Sequence, residues 1–309
     1  MTQYIYTAAD SNYALQVQVL AMSLRKNQSK VTDLTVFGNG WSKKDTESLL
    51  RLSNEKLHIS LKSVPTETFS DIKLASGFPL ATAYNILVPK FLLEPSRRYL
   101  YVDADTVVRK DLAELWNINM VHPVAAVLDA HIGWASSPSM WRPWKEENIP
   151  AQAPYLNTGV MLIDVDRWNN ENLTQRTVDL LTKYVLPCVD QDALNLILGG
   201  NFDLLEPTFN AMPYHILSSF RYIDAVTDQN QIEQALIDPA IVHFHRSFLG
   251  KPWERGCIHP GVKMWRALAD EVDPHWSKSV DILGLARRRA AKWAKMLRVD
   301  ERAGDLPVL

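Results

Sequence analysis

The sequence holds only two cysteines, Cys188 and Cys257, too few for a disulfide framework or a cysteine-only structural zinc site. It has no excess of charge of either sign. Lys+Arg total 33 against 35 Asp+Glu, a formal net charge of −2, so nothing global points to nucleic acid. It lacks an uncharged apolar run of the ~18–20 residues that cross a bilayer. Its opening residues, Met1 to Tyr6, lack the basic and apolar regions of a secretory signal and run straight into strand-like sequence. These absences predict a cytoplasmic protein, soluble or at most peripheral on a membrane. Glycine (12) and proline (17) occur without period, which excludes collagen-like and linker-dominated architectures. What remains is ordinary globular composition. With 309 residues, 47% hydrophobic and 22% charged, the chain can build one large domain or two modest ones.

The first hundred residues alternate strand and helix signals. Strands are predicted over 4–9, 34–37, 57–64 and 99–102. Helices are predicted over 13–24, from Ser42 as N-cap to about 52, and over 82–93. Strands separated by helices predict a parallel sheet covered on both faces, with ligands at the carboxyl ends of the strands. Further strands are expected over 124–128, 159–165 and 241–244, and helices over 172–184 and 192–198. Between them the connection 130–155 is long and rich in Trp and Pro, a length that is usually functional or mobile.

The tail, 275–309, differs in character. Between Ala286 and Arg298 it carries Arg287, Arg288, Arg289, Lys292, Lys295 and Arg298 and no acid. Ile282, Leu285, Ala286, Trp293, Met296 and Leu297 share one face of a helix. Such a helix suits an anionic membrane surface through 281–298, and equally a terminal helix docked on its own domain.

Chemistry gathers first at Asp103-Ala104-Asp105, directly after an apolar strand. Two hard oxygen ligands at a strand end suit a divalent cation that neutralises a diphosphate, although acids also commonly end strands. Ile241-Val242-His243-Phe244-His245 adds histidines, and a mixed O/N set suits Mn2+ better than Mg2+. Lys251, in Gly250-Lys251-Pro252-Trp253, is a point charge suited to phosphate. Asp190-Gln191-Asp192 sits at an expected helix start, where capping alone would explain the acids.

In order over residues 4–253, these segments resemble glycosyltransferase family 8. The resemblance implies a GT-A fold, an α/β architecture with a Rossmann-like mixed sheet flanked by helices, followed here by a C-terminal amphipathic helical tail. It implies a GT-A domain over 1–274, with a nucleotide-binding half to about 125 and a donor-sugar and acceptor half from 126, and a basic tail over 275–309. It also implies a retaining, metal-dependent transferase that uses a UDP-sugar, with Mn2+ or Mg2+. Thr7 to Tyr13 resembles the opening nucleotide motif, which puts Ala8, Asp10, Asn12 and Tyr13 on uracil and ribose. Tyr99 to Asp105 resembles the metal-binding D-x-D strand, with Asp103, Ala104 and Asp105 against the donor. Leu156-Asn157-Thr158-Gly159-Val160 resembles the segment lining the donor sugar. In the D-Q-D segment, Asp190 would bind the sugar and Gln191 would lie beside the anomeric carbon. His243 to Trp253 resembles the closing motif, with His243 as metal ligand and Gly250 and Lys251 on the diphosphate.

Two departures stand out. The family reads Tyr-x-Arg-Leu before the D-x-D strand, whereas this chain has Ala83-Tyr84-Asn85-Ile86, so Asn85 takes the Arg position. The family's His-to-Lys spacing is met by His245, a rival ligand. His243 is preferred because Ile-Val-His-Phe matches the strand leading into the motif, and loop insertions are energetically cheap.

The resemblance favours same-face attack on the sugar, since Gln191 is a poor nucleophile. UDP-glucose or UDP-galactose and a glycan or glycolipid acceptor are the implied partners. Asp129, ending the strand at 124–128, would be an acceptor or sugar contact. Trp134, Trp141 and Trp144 suit sugar rings or a lipid edge, or else pack their loop down. Asn210 is a further acceptor-side candidate. Two alternatives remain: a non-catalytic UDP-sugar-binding protein, and a sugar nucleotidyltransferase, which the acidic opening segment disfavours.

Overall fold

The computed structural model describes residues 2–64, 71–75, 79–87, 89, 98–137, 142–212, 229–245 and 249–279. The expected tail helix over 281–298 and Trp141 lie outside these residues, as does the expected helix beyond residue 89. The chain divides into two compact units, Met1–His243 and Phe244–Leu309. Among the described residues, no helix is long and apolar enough to cross a membrane.

The first unit opens with β1 (Gln3–Ala8), α1 (Ala14–Asn27), β2 (Thr32–Phe37), α2 (Lys43–Leu50) and β3 (Leu57–Lys62). After α3 (Tyr84–Leu87) come β4 (Arg98–Val102), β5 (Thr106–Val108), β6 (Val124–Leu128) and β7 (Leu156–Asp164). The remaining elements are α4 (Val165–Asn170), α5 (Leu173–Lys183), α6 (Val189–Leu198), β8 (Asp203–Leu204), α7 (Gln229–Ile237) and β9 (Ile241–His243). Ser42 caps α2 as read from the sequence, its hydroxyl accepting the Asp45 N–H at 3.0 Å.

The main sheet runs β3-β2-β1-β4-β7-β6-β8. β1 to β4 are mutually parallel, as the alternating strand and helix signals predict. β7 then pairs antiparallel with both β4 and β6, which makes the sheet mixed. β4 and β7 are buried almost throughout, which is why 99–102 and 160–163 read as apolar runs. One face centres on Tyr6, packed edge-on to Phe37 and tilted against Tyr101, with the fully buried Trp168 in the same core. Chain order reverses direction in the sheet between β1 and β4. In open α/β sheets, ligands bind at the carboxyl ends of the strands beside such a switch point.

Two boundaries next to the site differ from the sequence reading. β7 starts at Leu156, not at 159, because Asn157 and Thr158 are buried polar residues whose hydrogen bonds are met inside the protein. α6 starts at Val189, which adopts φ +43°, rarely taken by a β-branched residue. Asp190 and Gln191 therefore lie inside the first turn, and capping does not explain Asp190. Asp192 alone reaches back, accepting the Cys188 N–H at 2.7 Å.

The second unit contains α8 (Val262–Val272). Its buried Trp265 packs between Trp253, tilted against it at 5.4 Å, and Trp276, edge-on at 5.3 Å. Arg266 binds the Pro252 and Glu254 carbonyls, so α8 fixes the segment from Gly250 to Glu254.

Candidate active site

β4 is too apolar to lie at the surface, so its first polar residues emerge where the sheet ends. Asp103 and Asp105 occupy that end, and the chain turns at once into β5, with Thr106 Oγ1 donating to the Asp103 carbonyl at 2.7 Å. Antiparallel pairing sets Thr106 opposite His243, the last residue of β9. The ligand atoms of Asp103, Asp105 and His243 thus all lie within 4.8 Å of one another. His243 Nε2 is 3.2 Å from Asp105 Oδ1 and 3.5 Å from Asp103 Oδ2. The imidazole is buried, but the Asp103 side chain remains 35% exposed, so the cluster is open on the aspartate side. Two carboxylates and one imidazole form a donor set that fits Mn2+ or Mg2+. Of the two histidines weighed from the sequence, His243 is the one in this triad. Ala104, between the aspartates, is buried.

The opening segment closes β1 at the same switch point. Asp10 caps the turn Ser11–Tyr13, its Oδ1 accepting the Asn12 N–H at 2.9 Å. Ala8, Asp10 and Tyr13 are half-buried and Asn12 is exposed.

Asp190 points from α6 toward α3 and β7. Its Oδ2 accepts Asn85 Nδ2 at 2.7 Å and Thr158 Oγ1 at 3.1 Å. Burial pushes the Asp190 carboxyl up to about 7, and the Asp103 charge adds to this, while the Asn85 and Thr158 bonds work against it. Gln191 is held at both ends of its amide. Oε1 accepts from Asn157 Nδ2 and the Thr158 N–H, and Nε2 donates to Asp129 Oδ2.

Asp129, Asn157 and Asn210 are all buried. Asn210, expected on the acceptor side, has its amide committed to Asn157 and His243, at 2.9 Å each. Trp134 is half-buried and bridges to Pro154. Trp144 packs against the core, which fits the loop-anchoring alternative. In the second unit, Gly250 has φ +79°, and the Lys251 ammonium lies 5.5 Å from the Trp253 ring centre.

Sequence reasoning missed one buried group. Arg142 donates through Nε to Asp192 Oδ1, and its guanidinium lies over the Tyr155 ring, 4.8 Å from the centre. The Tyr155 hydroxyl reaches the same carboxylate oxygen. This ties both ends of the connection 142–155 to α6. Beside it, burial and the Asp192 charge push the Cys188 thiol up to about 12, which leaves it an inert thiol. No motif marks Arg142, because its partner lies 50 positions away.

The sequence profile of Glycosyl transferase family 8 matches residues 4–257. General stress protein A of Bacillus subtilis is 28% identical over 266 residues, covering 83% of this chain and 89% of that protein. Lipopolysaccharide 1,2-glucosyltransferase of Escherichia coli K12 is 24% identical over 270 residues, covering 83% and 74%. Among solved structures, the galactosyltransferase LgtC in complex with donor and acceptor sugar analogs matches with a TM-score of 0.73. That match is 23% identical and covers 88% of this chain and 96% of LgtC, a likeness in fold. By the family match and the shared architecture, the chain belongs to glycosyl transferase family 8 and has the GT-A fold.

Proposed function

We propose that this protein is a retaining hexosyltransferase. It moves glucose or galactose from a UDP-sugar to a glycan or glycolipid acceptor, with Mn2+ or Mg2+ held by Asp103, Asp105 and His243. The observation that carries this reading is the triad at the carboxyl end of β4, at the sheet's switch point. The names of the relatives support the donor and acceptor classes, since they include a lipopolysaccharide glucosyltransferase and a galactosyltransferase.

In this reading Ala8, Asp10, Asn12 and Tyr13 hold the nucleoside, and Gly250 and Lys251 meet the diphosphate. Asn85, Asn157, Thr158 and Asp190 hold the donor sugar. When bound, the cation offsets negative charge on the diphosphate. Gln191, fixed at both ends, presents a dipole beside the reacting carbon, and an amide is a poor nucleophile. The bond from C1 to UDP therefore breaks as the acceptor oxygen joins C1 on the same face. The acceptor's proton passes to the departing diphosphate oxygen. Asp129, Trp134 and Trp141 stand on the acceptor side of this reading.

The catalytic domain extends to about residue 274, at the cytoplasmic membrane face, with 281–298 on anionic lipid. Deleting 281–309 should move the protein from membrane to soluble fractions, and unchanged partitioning would reject the lipid contact.

A second reading is a UDP-sugar-binding protein without turnover. It is favoured by Asn85, a neutral amide 2.7 Å from Asp190 where the family resemblance expects Arg. UDP release from UDP-glucose or UDP-galactose, with Mn2+ and a panel of glycan and glycolipid acceptors, separates the two. Transfer that is lost in Asp103→Asn/Asp105→Asn supports the first. UDP binding without transfer supports the second, and no UDP binding sinks both.

A further inference from the structure

We infer that a buried hydrogen-bond chain from Asp129 through Asn157 to Asn210, held in one direction by the Asp129 carboxylate and the Gly159 N–H, fixes the tautomer of His243, so that Nε2 is the nitrogen offered to a cation. The inference rests on the metal-site part of the reading above. Its warrant is the direction of a buried hydrogen-bond chain, set by groups that can only donate or only accept.

Asp129 Oδ1 accepts the backbone N–H groups of His131 and Ile132, at 2.9 Å each. Its Oδ2 meets Asn157 Nδ2 at 2.9 Å and Gln191 Nε2 at 3.1 Å. A carboxylate only accepts, so Asn157 must turn its nitrogen toward Asp129. A second group imposes the same orientation. The Gly159 N–H, which can only donate, reaches Asn157 Oδ1 at 3.0 Å. Asn210 can then meet that oxygen only with Nδ2, at 2.9 Å. This leaves Asn210 Oδ1 facing His243 Nδ1 at 2.9 Å, and Nδ1 must carry the proton. Nε2, with its lone pair, is the nitrogen beside Asp103 and Asp105.

All four side chains belong to residues at most 2% exposed. Flipping either amide would set oxygen against oxygen where water cannot relieve it. Metal-binding imidazoles are commonly oriented by a carboxylate or carbonyl on the other ring nitrogen. Here the carboxylate acts through two amides. Asp129 and Asn210 are therefore positioning residues for the cation site, and the same carboxylate oxygen also orients Gln191.

The test is nitrogen NMR of the whole chain, metal-free and labelled with 15N-histidine, at a pH where the His243 signal shows a single ring proton. His243→Gln assigns the signal. Wild type should show the proton on Nδ1. Asn210→Leu should give mixed tautomers, and Mn2+ affinity by calorimetry should fall by about 10–100-fold with both metal-site aspartates intact. If Asn210→Leu does not fold, Asn210→Ser carries the test, because a hydroxyl there can donate or accept and no longer dictates which tautomer His243 takes. A proton on Nε2 in wild type, or an unchanged tautomer in the variants, overturns the inference. A wild type with the proton on Nδ1 that binds no Mn2+ would sink the metal reading and leave the tautomer assignment standing.

Discussion

The imidazole of His243 fills the space that a side chain at residue 159 would need. Gly159 lies on β7 opposite Asp103, whose N–H its carbonyl accepts at 2.8 Å. A β-carbon there would overlap the His243 ring and come within 2.9 Å of Asp103 Oδ2. Glycine is required here by close approach rather than by backbone angle. Gly159→Ala should displace one of the two ligands, weakening Mn2+ binding by about tenfold or more and costing about 1–3 kcal/mol of stability. Calorimetric titration and thermal melting read the two effects. Mn2+ binding at wild-type affinity would show that the ring does not occupy this space.

Asp190 should make the metal-free protein less stable as pH rises. Its native carboxyl titrates at about 7 against an ordinary 3.8, because burial and the nearby Asp103 disfavour its charge. Between those values the native state keeps a proton that the unfolded chain releases, so stability falls with rising pH and levels off above about 7. In chelator, wild type should lose melting temperature relative to Asp190→Asn across that window and run parallel to it outside. Asn85→Leu, which removes a bond that favours the charged form, should extend the window upward. Parallel curves throughout would contradict the assignment.

Arg142 and Asp192 should behave as one unit. Both are buried, and the carboxylate also takes the Tyr155 hydroxyl and the Cys188 N–H. Arg142→Met strands a buried charge and should cost about 3–5 kcal/mol in urea unfolding. Adding Asp192→Leu should cost far less than the sum of the two single changes. Additive losses would mean that the pair is not coupled.

Much of the fold was legible because local signals and packing agree. Apolar runs such as Tyr99 to Val102 became central strands, and the acids ending them became the site, since parallel strands deliver their carboxyl ends to one edge. The placement of Asp103, Asp105 and His243 together required only that β9 reach β5. What was not legible depended on distant partners. The expected strand begins only at 159, because nothing local announces that Asp129, Asp190 and Gln191 meet the polar atoms of Asn157 and Thr158. The start of α6 at Val189 depends on a positive φ that a valine's propensities argue against. Asn210 read as a cleft residue, whereas its amide lies buried between His243 and Asn157.

Thermal melting with UDP plus Mn2+ against Mn2+ alone, in wild type and in Asp103→Asn/Asp105→Asn, tests the central claim most directly. A ligand that binds the native state raises the melting temperature according to its affinity. UDP should stabilise wild type only when Mn2+ is present, and the double variant should show no such gain. Equal stabilisation in the two proteins, or none in wild type, would contradict a metal-dependent nucleotide site at the end of β4.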